Sequence, residues 1–513
     1  MRADVVVVGG GPVGLLAAAE LAGFGVDTVL FEELSEPSSR PKASTVHARA
    51  VQSLVRRDHL PWLAPLHQSD EVVRRFHFAG VPGVNLTAPG SEPEPLLKIA
   101  QIQLERSFEA QAIAAGVRIL RGHAVTALDQ GPDLVRVEAK GPEDRVRCQA
   151  AYVLGADGAR SAVRTLAGIE AQTWPATVFS LIGLVTLPDP AALGPGWHRT
   201  SRGWIVATPV GDGDVNLRTL GGPPGPPGPV DRAQAPTAEQ LSRAVEWIVG
   251  REVPLERARW LSRFSDFARL ARGYRLGRVL LAGDAAHMHF PIGGQGLTTG
   301  ILDVLNLCWK LAHVVRGSAP DDLLDSYDTE RRPAAHRVID SARAQVTLMR
   351  PDSGFAPIHT FLASRLADPR IDAALSGMIS GQDTVLPARS ACPSAFEGRF
   401  LTNRHIITPQ GRIDVVSLLQ SGRDRPLLLL FGGKADRFRS EAAPWARLLH
   451  VVAADAEPDS PDSPYEAVLV RPDGYIAWAA DGGTLTEALV GLFGPGMPGS
   501  GSGTPGSGSE SGA

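Results

Sequence analysis

ADVVVVGGGPVG, residues 3–14, joins an apolar run to three closely spaced glycines, and its reading decides the fold. Residues 3–8 read as a buried parallel strand, 12–24 as a helix rich in small residues, and 26–32 as a second strand. Together they make the opening βαβ unit of a doubly wound sheet. Gly9, Gly11 and Gly14 form G-x-G-x-x-G between strand and helix. The first permits a tight turn, the second lets backbone N–H groups approach a pyrophosphate, and the third lets the helix pack close to the sheet. The helix N-terminus adds positive potential for phosphates. Glu32 ends the second strand, where a carboxylate accepts hydrogen bonds from ribose hydroxyls and repels a 2′-phosphate. With Pro12 and Val13 in the turn and Glu33 beside Glu32, these are the first candidate cofactor contacts. The motif alone does not separate NAD from FAD.

A chain of 513 residues calls for two or three domains, and 43% hydrophobic with 21% charged residues is a globular balance. A net charge of −4 offers no basic field to nucleic acid. The cations are nearly all arginine, with lysine only at 42, 98, 140, 310 and 434, as coding bias in a GC-rich genome would produce. Cys148, Cys308 and Cys392 are far apart and form no CxxC. That spacing indicates a reducing, cytoplasmic setting rather than a disulfide framework or metal cluster. No apolar run approaches the roughly 18 residues of a membrane span.

Beyond the first unit, a helix is expected at about 103–115, short strands near 117–120, 124–128, 134–138 and 151–155, and a helix from about 160. Residues 173–265, with short apolar runs broken by Gly and Pro, read as a mostly β domain covering a substrate. Within it Gly221–Val230, GGPPGPPGPV, reads as a surface loop. A strand at 278–282, a long helix from near 296 and a helical stretch at 320–350 return to the first domain. The strand-like segments Arg425–Phe431 and Ala467–Val470 mark a small α/β domain. The expected division is therefore 1–172 and 266–394 for the cofactor domain, 173–265 for the substrate domain, 395–493 for the small domain, and 494–513 for a disordered tail.

Two later segments bear on the cofactor. Gly277–Ala312 reads GRVLLAGDAAHMHFPIGGQGLTTGILDVLNLCWKLA, and Val153–Arg164 reads VLGADGARSAVR. With the N-terminal unit they resemble the three fingerprints of the group A flavoprotein monooxygenases, the p-hydroxybenzoate and phenol hydroxylase family. The resemblance implies that Asp284 bonds the ribityl chain of FAD and that Asp157–Gly158 lies where flavin and nicotinamide binding meet. It places Pro291, Ile292 and Gly293 near the flavin ring, with Gly294, Gly296, Leu297 and Thr298 among the cofactor contacts. Read as residues alone, Gly293, Gly294 and Gly296 precede an apolar helix, so backbone N–H groups can face a ligand from a helix N-terminus. IAQIQLERSF resembles the segment whose glutamine, here Gln101, contacts the ribityl–phosphate region. RPKASTVHAR resembles the loop whose basic residue, an arginine in many members, reaches the pyrophosphate; the matching position here is Lys42, with Arg40 in the same loop as a further candidate. Where the family usually has G-L-N, this chain has Gly296-Leu297-Thr298, so an asparagine contact is absent. His287 and His289 lack partners at metal-ligand spacing, and no metal site is expected. No G-x-S-x-G hydrolase signal occurs.

SYDTERRPAAHRV (Ser326–Val338), RPLLLLFGG and AVLVRPDGYIAW extend the resemblance to the aromatic polyketide hydroxylases, including their appended thioredoxin-like domain. Without CxxC that domain is left structural support or contact within a homodimer. The fold class expected is thus α/β, a Rossmann-like FAD-binding domain with a β-rich substrate domain and a thioredoxin-like domain. The implied function is hydroxylation of a polycyclic aromatic substrate, with NADPH or NADH as reductant, O2 as co-substrate and a flavin C4a-hydroperoxide as the oxygen donor. No protein general base declares itself. Baeyer–Villiger oxidation, epoxidation and non-catalytic flavin or antibiotic binding are the alternatives. A flavin-dependent halogenase is disfavoured because W-x-W-x-I-P is absent.

Overall fold

The computed structural model describes residues 1–38, 42–63, 71–211, 213–223, 235–351, 356–456 and 465–496. Arg40, most of the Gly221–Val230 loop and the tail from 497 onward lie outside the described residues. The chain divides into two compact units, one of Met1–Val315 and Leu324–Thr384, the other of Arg316–Leu323 and Val385–Ala513.

In the first unit, strand β1 (Arg2–Val8) buries Val5–Val8 because it has parallel neighbours on both sides. One is β2 (Thr28–Glu32), the other the Arg145–Gly155 strand. The path of the sheet continues outward to Arg118–Arg121 on one side and to Val279–Leu281 on the other. A strand covered on both faces is apolar at every position rather than at alternate ones, which is why VVVV suits this place. Helix α1 (Pro12–Gly23) starts on a proline and is buried over most of its length against the Gln101–Ala114 and Gln295–Val315 helices.

The 173–265 segment is β-rich as expected, though its sequence also folds into the Ala238–Val249 helix behind a Thr237 cap. Its five antiparallel strands lie in the order Gly196–Thr200, Gly203–Gly211, Asp214–Leu220, Phe179–Thr186, Arg257–Ser265. The period of two divides the labour. Ile205, Ala207, Val215 and Leu217 pack under Leu241, Val245 and Ile248 of the helix. Trp204 and Leu220, on the opposite face, join Trp197, Phe264, Phe290 and Ile292 in a second cluster.

Two helices after the third fingerprint, Gln295–Val315 and Asp325–Leu348, are joined by buried charge. Lys310 Nζ lies 2.8 Å from Glu330 Oε2, and Asn306 bridges both, accepting from Lys310 at 2.9 Å and donating to Glu330 at 2.6 Å. The second unit holds a six-stranded sheet in which Leu427–Phe431 pairs parallel with His450–Ala456 and antiparallel with Ala467–Val470.

Removing one partner of a buried pair strands the other charge. Lys310→Met should cost about 3–5 kcal/mol in chemical denaturation. The double change Lys310→Met/Glu330→Gln should recover most of that loss; no recovery would mean the pair acts through shape alone.

Candidate active site

The three glycines of the first turn stand in different surroundings. Gly9 has φ +110°, and a methyl there would lie 2.4 Å from Ala156 O. A methyl on Gly14 would lie 1.9 Å from Gly9 O. Nothing lies within 4 Å of the same position on Gly11. Two glycines are thus demanded by packing and the third fronts open space. That space faces an α1 N-terminus with no side-chain cap and no acid in its first turn, a cradle suited to phosphate. Pro12 is buried there. Glu32 accepts from the backbone N–H groups of Gly10 and, at 2.8 Å, Leu34, so its carboxylate is fixed at the mouth of the turn. Glu33 beside it is exposed.

Val13 is the meeting point of the distant fingerprints. Methyls on Gly283 and Gly300 would approach its side chain to 3.1 and 2.7 Å. The Gly283–Ala285 turn is held from behind by Asp303 of the long helix. Its Oδ2 accepts from Gly283 N–H at 3.2 Å and meets His287 Nε2 at 2.6 Å, while Oδ1 accepts from Arg331 at 3.0 Å. Burial pushes the Asp303 carboxyl up, but His287 and Arg331 more than offset it and hold it below the usual range. Arg164, from the VLGADGARSAVR segment, donates to Ala285 O at 2.8 Å. Asp157 Oδ2 accepts from Val163 N–H at 3.0 Å, whereas its Oδ1 is buried with no partner among the described residues. An unpaired buried carboxylate oxygen beside the glycine turn suits a ligand donor.

Asp284 keeps solvent contact although it is surrounded by protein, as a group lining a deep cleft does. That desolvation raises its carboxyl above the usual range, against the pull of His287 and Lys42. Lys42 is therefore within electrostatic reach of Asp284. Gln101 accepts from Ala43 N–H at 3.3 Å and donates to Glu105 at 2.7 Å, so it anchors the loop that carries Lys42.

Gly293 and Gly294 adopt φ +75° and +67°, a conformation costly for other residues, whereas Gly296 shows neither positive φ nor a close neighbour. The long helix begins one residue earlier than expected, at Gln295, with no acid in its first turn. His47 Nε2 lies 2.7 Å from Gly293 O, and a carbonyl can only accept, so Nε2 carries the hydrogen. Nδ1 is then a buried acceptor with no partner among the described residues. Thr298 accepts from His47 N–H at 3.0 Å, which gives the residue in the asparagine position a bracing role. His289 Nδ1 likewise meets Phe290 O at 2.8 Å, and its Nε2 has no partner among the described residues. His287 and His289 thus serve different neighbours. Leu297 and Ile292 are buried and Pro291 is exposed.

Beyond this turn lies an aromatic wall. His47 meets Phe76 edge-on at 5.5 Å, Phe76 stacks on His77 at 4.7 Å, and His77 contacts Trp197, itself 5.8 Å from Trp204. Desolvation lowers His47, His77 and His289 to about 4. Sequence reasoning missed His47 and Asp303, although both lie within quoted segments, and His77, Lys98 and the tryptophans, which lie outside them. The glycine cradle, the Asp157 oxygen without a partner among the described residues and the uncapped α1 N-terminus fit FAD.

Known proteins supply the context. The FAD binding domain family matches residues 2–342, and the aromatic-ring hydroxylase C-terminal family matches 394–496. A Streptomyces rimosus protein named 12-dehydrotetracycline 5-monooxygenase/anhydrotetracycline 6-monooxygenase is 37% identical, over 96% of this chain and 99% of its own. A Streptomyces rugosporus protein named dialkyldecalin synthase is 34% identical, over 96% of this chain and 100% of its own. The crystal structure of an aromatic hydroxylase from angucycline biosynthesis superposes with a TM-score of 0.87 at 32% identity, covering 97% of this chain and 100% of that one.

Two outcomes follow from the geometry. Gly11→Ala should change the stability of the cofactor-free protein by no more than about 1 kcal/mol while weakening FAD binding in a fluorescence titration. Gly14→Ala should lower the melting temperature of the same cofactor-free protein sharply; equal melting of the two variants would contradict the packing roles. The histidines set a pH window. Their folded values, about 4, lie below the ordinary 6.5, so the unfolded chain takes up these protons first. Their contribution is full above 6.5, is lost as pH falls from there to about 4, and changes no further below. His47→Gln should flatten that loss in melts across this range.

Proposed function

Since the chain belongs to the family of FAD-dependent aromatic-ring hydroxylases and is a flavoprotein monooxygenase, we propose that it hydroxylates a polycyclic aromatic substrate of the polyketide type. The carrying observation is the aromatic wall, formed by His77, Trp197 and Trp204 on the side of the Gly293–Gly294 turn where Phe290 and Ile292 pack. An apolar lining of aromatic rings set edge to face suits a fused-ring ligand.

FAD, when bound and reduced by NADPH or NADH, supplies the activation of O2. The chain's own residues do the rest. Gly9, Gly11, Pro12, Val13 and the α1 N-terminus receive the pyrophosphate, with Lys42 as a further cation. Glu32 takes the ribose hydroxyls, and Asp284 and Asp157 take donors of the ribityl region. Backbone N–H groups of 293–298 would hold the flavin ring, where a helix N-terminus favours negative charge. Gln101 acts by holding the Lys42 loop, and Thr298 by bracing His47. Neutral His47 and His289 offer fixed acceptors without adding charge. The aromatic wall orients the substrate and excludes water.

In this reading the second unit has a thioredoxin-like arrangement without redox chemistry, serving support or contact in a homodimer. The free thiols of Cys148, Cys308 and Cys392 support a cytoplasmic setting, and no helix among the described residues is long and apolar enough to cross a membrane.

One relative's name favours a second reading, a ring-forming reaction on the same scaffold with no oxygen inserted. Aerobic turnover with FAD, NAD(P)H and polycyclic phenols separates the two. The expected product is heavier by one oxygen atom, with stoichiometric NAD(P)H consumed. A product isomeric with its substrate, formed without NAD(P)H, would replace hydroxylation by cyclisation.

A further inference from the structure

A groove of about 440 Å³ lies in the first unit between the end of the Ala171–Trp174 strand and the last turns of the Asp325–Leu348 helix. It shares no lining residue with the glycine cradle or the aromatic wall. Its volume is in the range that holds a small organic ligand. Trp174 forms one wall. The ring of His336 stacks on this tryptophan at 6.0 Å and 27°, and the guanidinium of Arg343 lies 5.1 Å from the ring centre. Both come from the same helix, two turns apart, so they cover the side of the indole turned towards it. The indole is half-buried, and what remains of its surface lines the groove. A tryptophan held in this way is a platform for a further flat ring.

Two arginines, Arg343 and Arg350, line the same groove. Arg350 Nη2 donates to Thr177 Oγ1 at 2.6 Å, and Arg350 Nε is buried with no partner among the described residues. The carboxylates nearby do not neutralise the pair. Asp266 accepts from the Thr177 hydroxyl at 2.6 Å and from the N–H groups of Thr177 and Val178 at 2.7 and 2.8 Å, so neutral donors occupy it. Asp340 stands 3.6 Å from His336 and 3.7 Å from Arg343, all three exposed, and such surface pairs contribute little. An aromatic platform beside two guanidiniums suits a base that carries phosphates.

A three-stranded sheet ties the groove to the cofactor segments. Trp174 pairs with Ala268, and the next position, Thr173, pairs with Arg269, which in turn pairs with Met288. Arg269 donates to Ala159 O at 2.7 Å, in the loop that follows Asp157. Two strand spacings, about 10 Å, separate the Trp174 strand from the His287–Met288 strand. Glu32, fixed at the mouth of the glycine turn, repels a 2′-phosphate, so that cradle suits FAD and the 2′-phosphate of NADPH needs another place.

We propose that this groove binds the adenosine 2′,5′-bisphosphate end of NADPH, with the adenine on Trp174 and the phosphates on Arg343 and Arg350. NADPH is the reductant in the monooxygenase reading above, on which this assignment rests. The dinucleotide then extends from the groove along the small sheet towards the Asp157 loop and the flavin.

The FAD-loaded enzyme is titrated calorimetrically with adenosine 2′,5′-bisphosphate, which has no nicotinamide, and with NADP+, which cannot reduce the flavin. Both are expected to bind. Trp174→Leu should weaken each about tenfold, the worth of one stacked base, and Trp174→Phe should restore most of the affinity. Arg343→Gln, at an exposed side chain, should weaken the bisphosphate by a similar factor with the melting temperature unchanged, and it carries the test should Trp174→Leu not fold. FAD affinity should stay the same in every variant. Wild-type affinity for the bisphosphate in either Trp174→Leu or Arg343→Gln, or its failure to bind the wild-type enzyme, overturns the groove as the nucleotide site and leaves the monooxygenase reading standing. Bisphosphate binding that these variants weaken, with no reduction of FAD by NADPH in anaerobic stopped flow, keeps the site and overturns that reading.

Discussion

Everything at this site depends on backbone approaching backbone where no side chain fits. Gly14 sits on Gly9, Gly9 on Ala156, and Gly283 and Gly300 both close on Val13. These contacts draw together segments from the first fourteen residues, from the middle of the first unit and from the start of the Gln295–Val315 helix. Because a methyl at Gly9 or Gly14 meets main-chain atoms, which cannot rotate away, the convergence admits little variation. The cleft where three separate fingerprints meet is a consequence of that packing.

Buried charge then fixes what close packing brings together. Asp303 spends one oxygen on the Gly283 turn and His287 and the other on Arg331, so one carboxylate aligns two loops and two helices. The neighbouring residue in sequence, Glu330, does the corresponding work for Lys310. Such pairs contribute little net stability over apolar replacements, but they specify register, since each carboxylate has only one place where its desolvation is offset.

The fold was legible where local rules and tertiary context agree. The VVVV strand, the glycine turn, the long helix after Gly294 and the apolar strand Leu427–Phe431 all report burial through composition alone. The Ala238–Val249 helix was lost inside a segment whose Gly and Pro content pointed to strands and loops. At the site, residues within phosphate-binding patterns could be named. Those of the aromatic wall could not, because Trp197 and Trp204 come together only through sheet register. One signal was present and was read as coding bias. In a chain that uses arginine almost everywhere, Lys42, Lys98 and Lys310 lie, respectively, near Asp284, against Thr45 and against Glu330. Of these only Lys310 is buried, where a compact ammonium fits between Asn306 and Glu330.

The five-stranded sheet carries a consequence for how such an enzyme changes over generations. Its odd-numbered residues on the central strands are committed to the helix that covers them, while the even-numbered Trp204 and Leu220 belong to the cluster around Phe290 and Ile292. Mutation on that face can therefore act without disturbing the core under the Ala238–Val249 helix or the glycine contacts of the first turn. Selection for a new substrate and selection for folding act on alternate letters of the same strand. A lineage built this way can diversify its chemistry at low risk, since exploration and preservation are separated by a single residue's step.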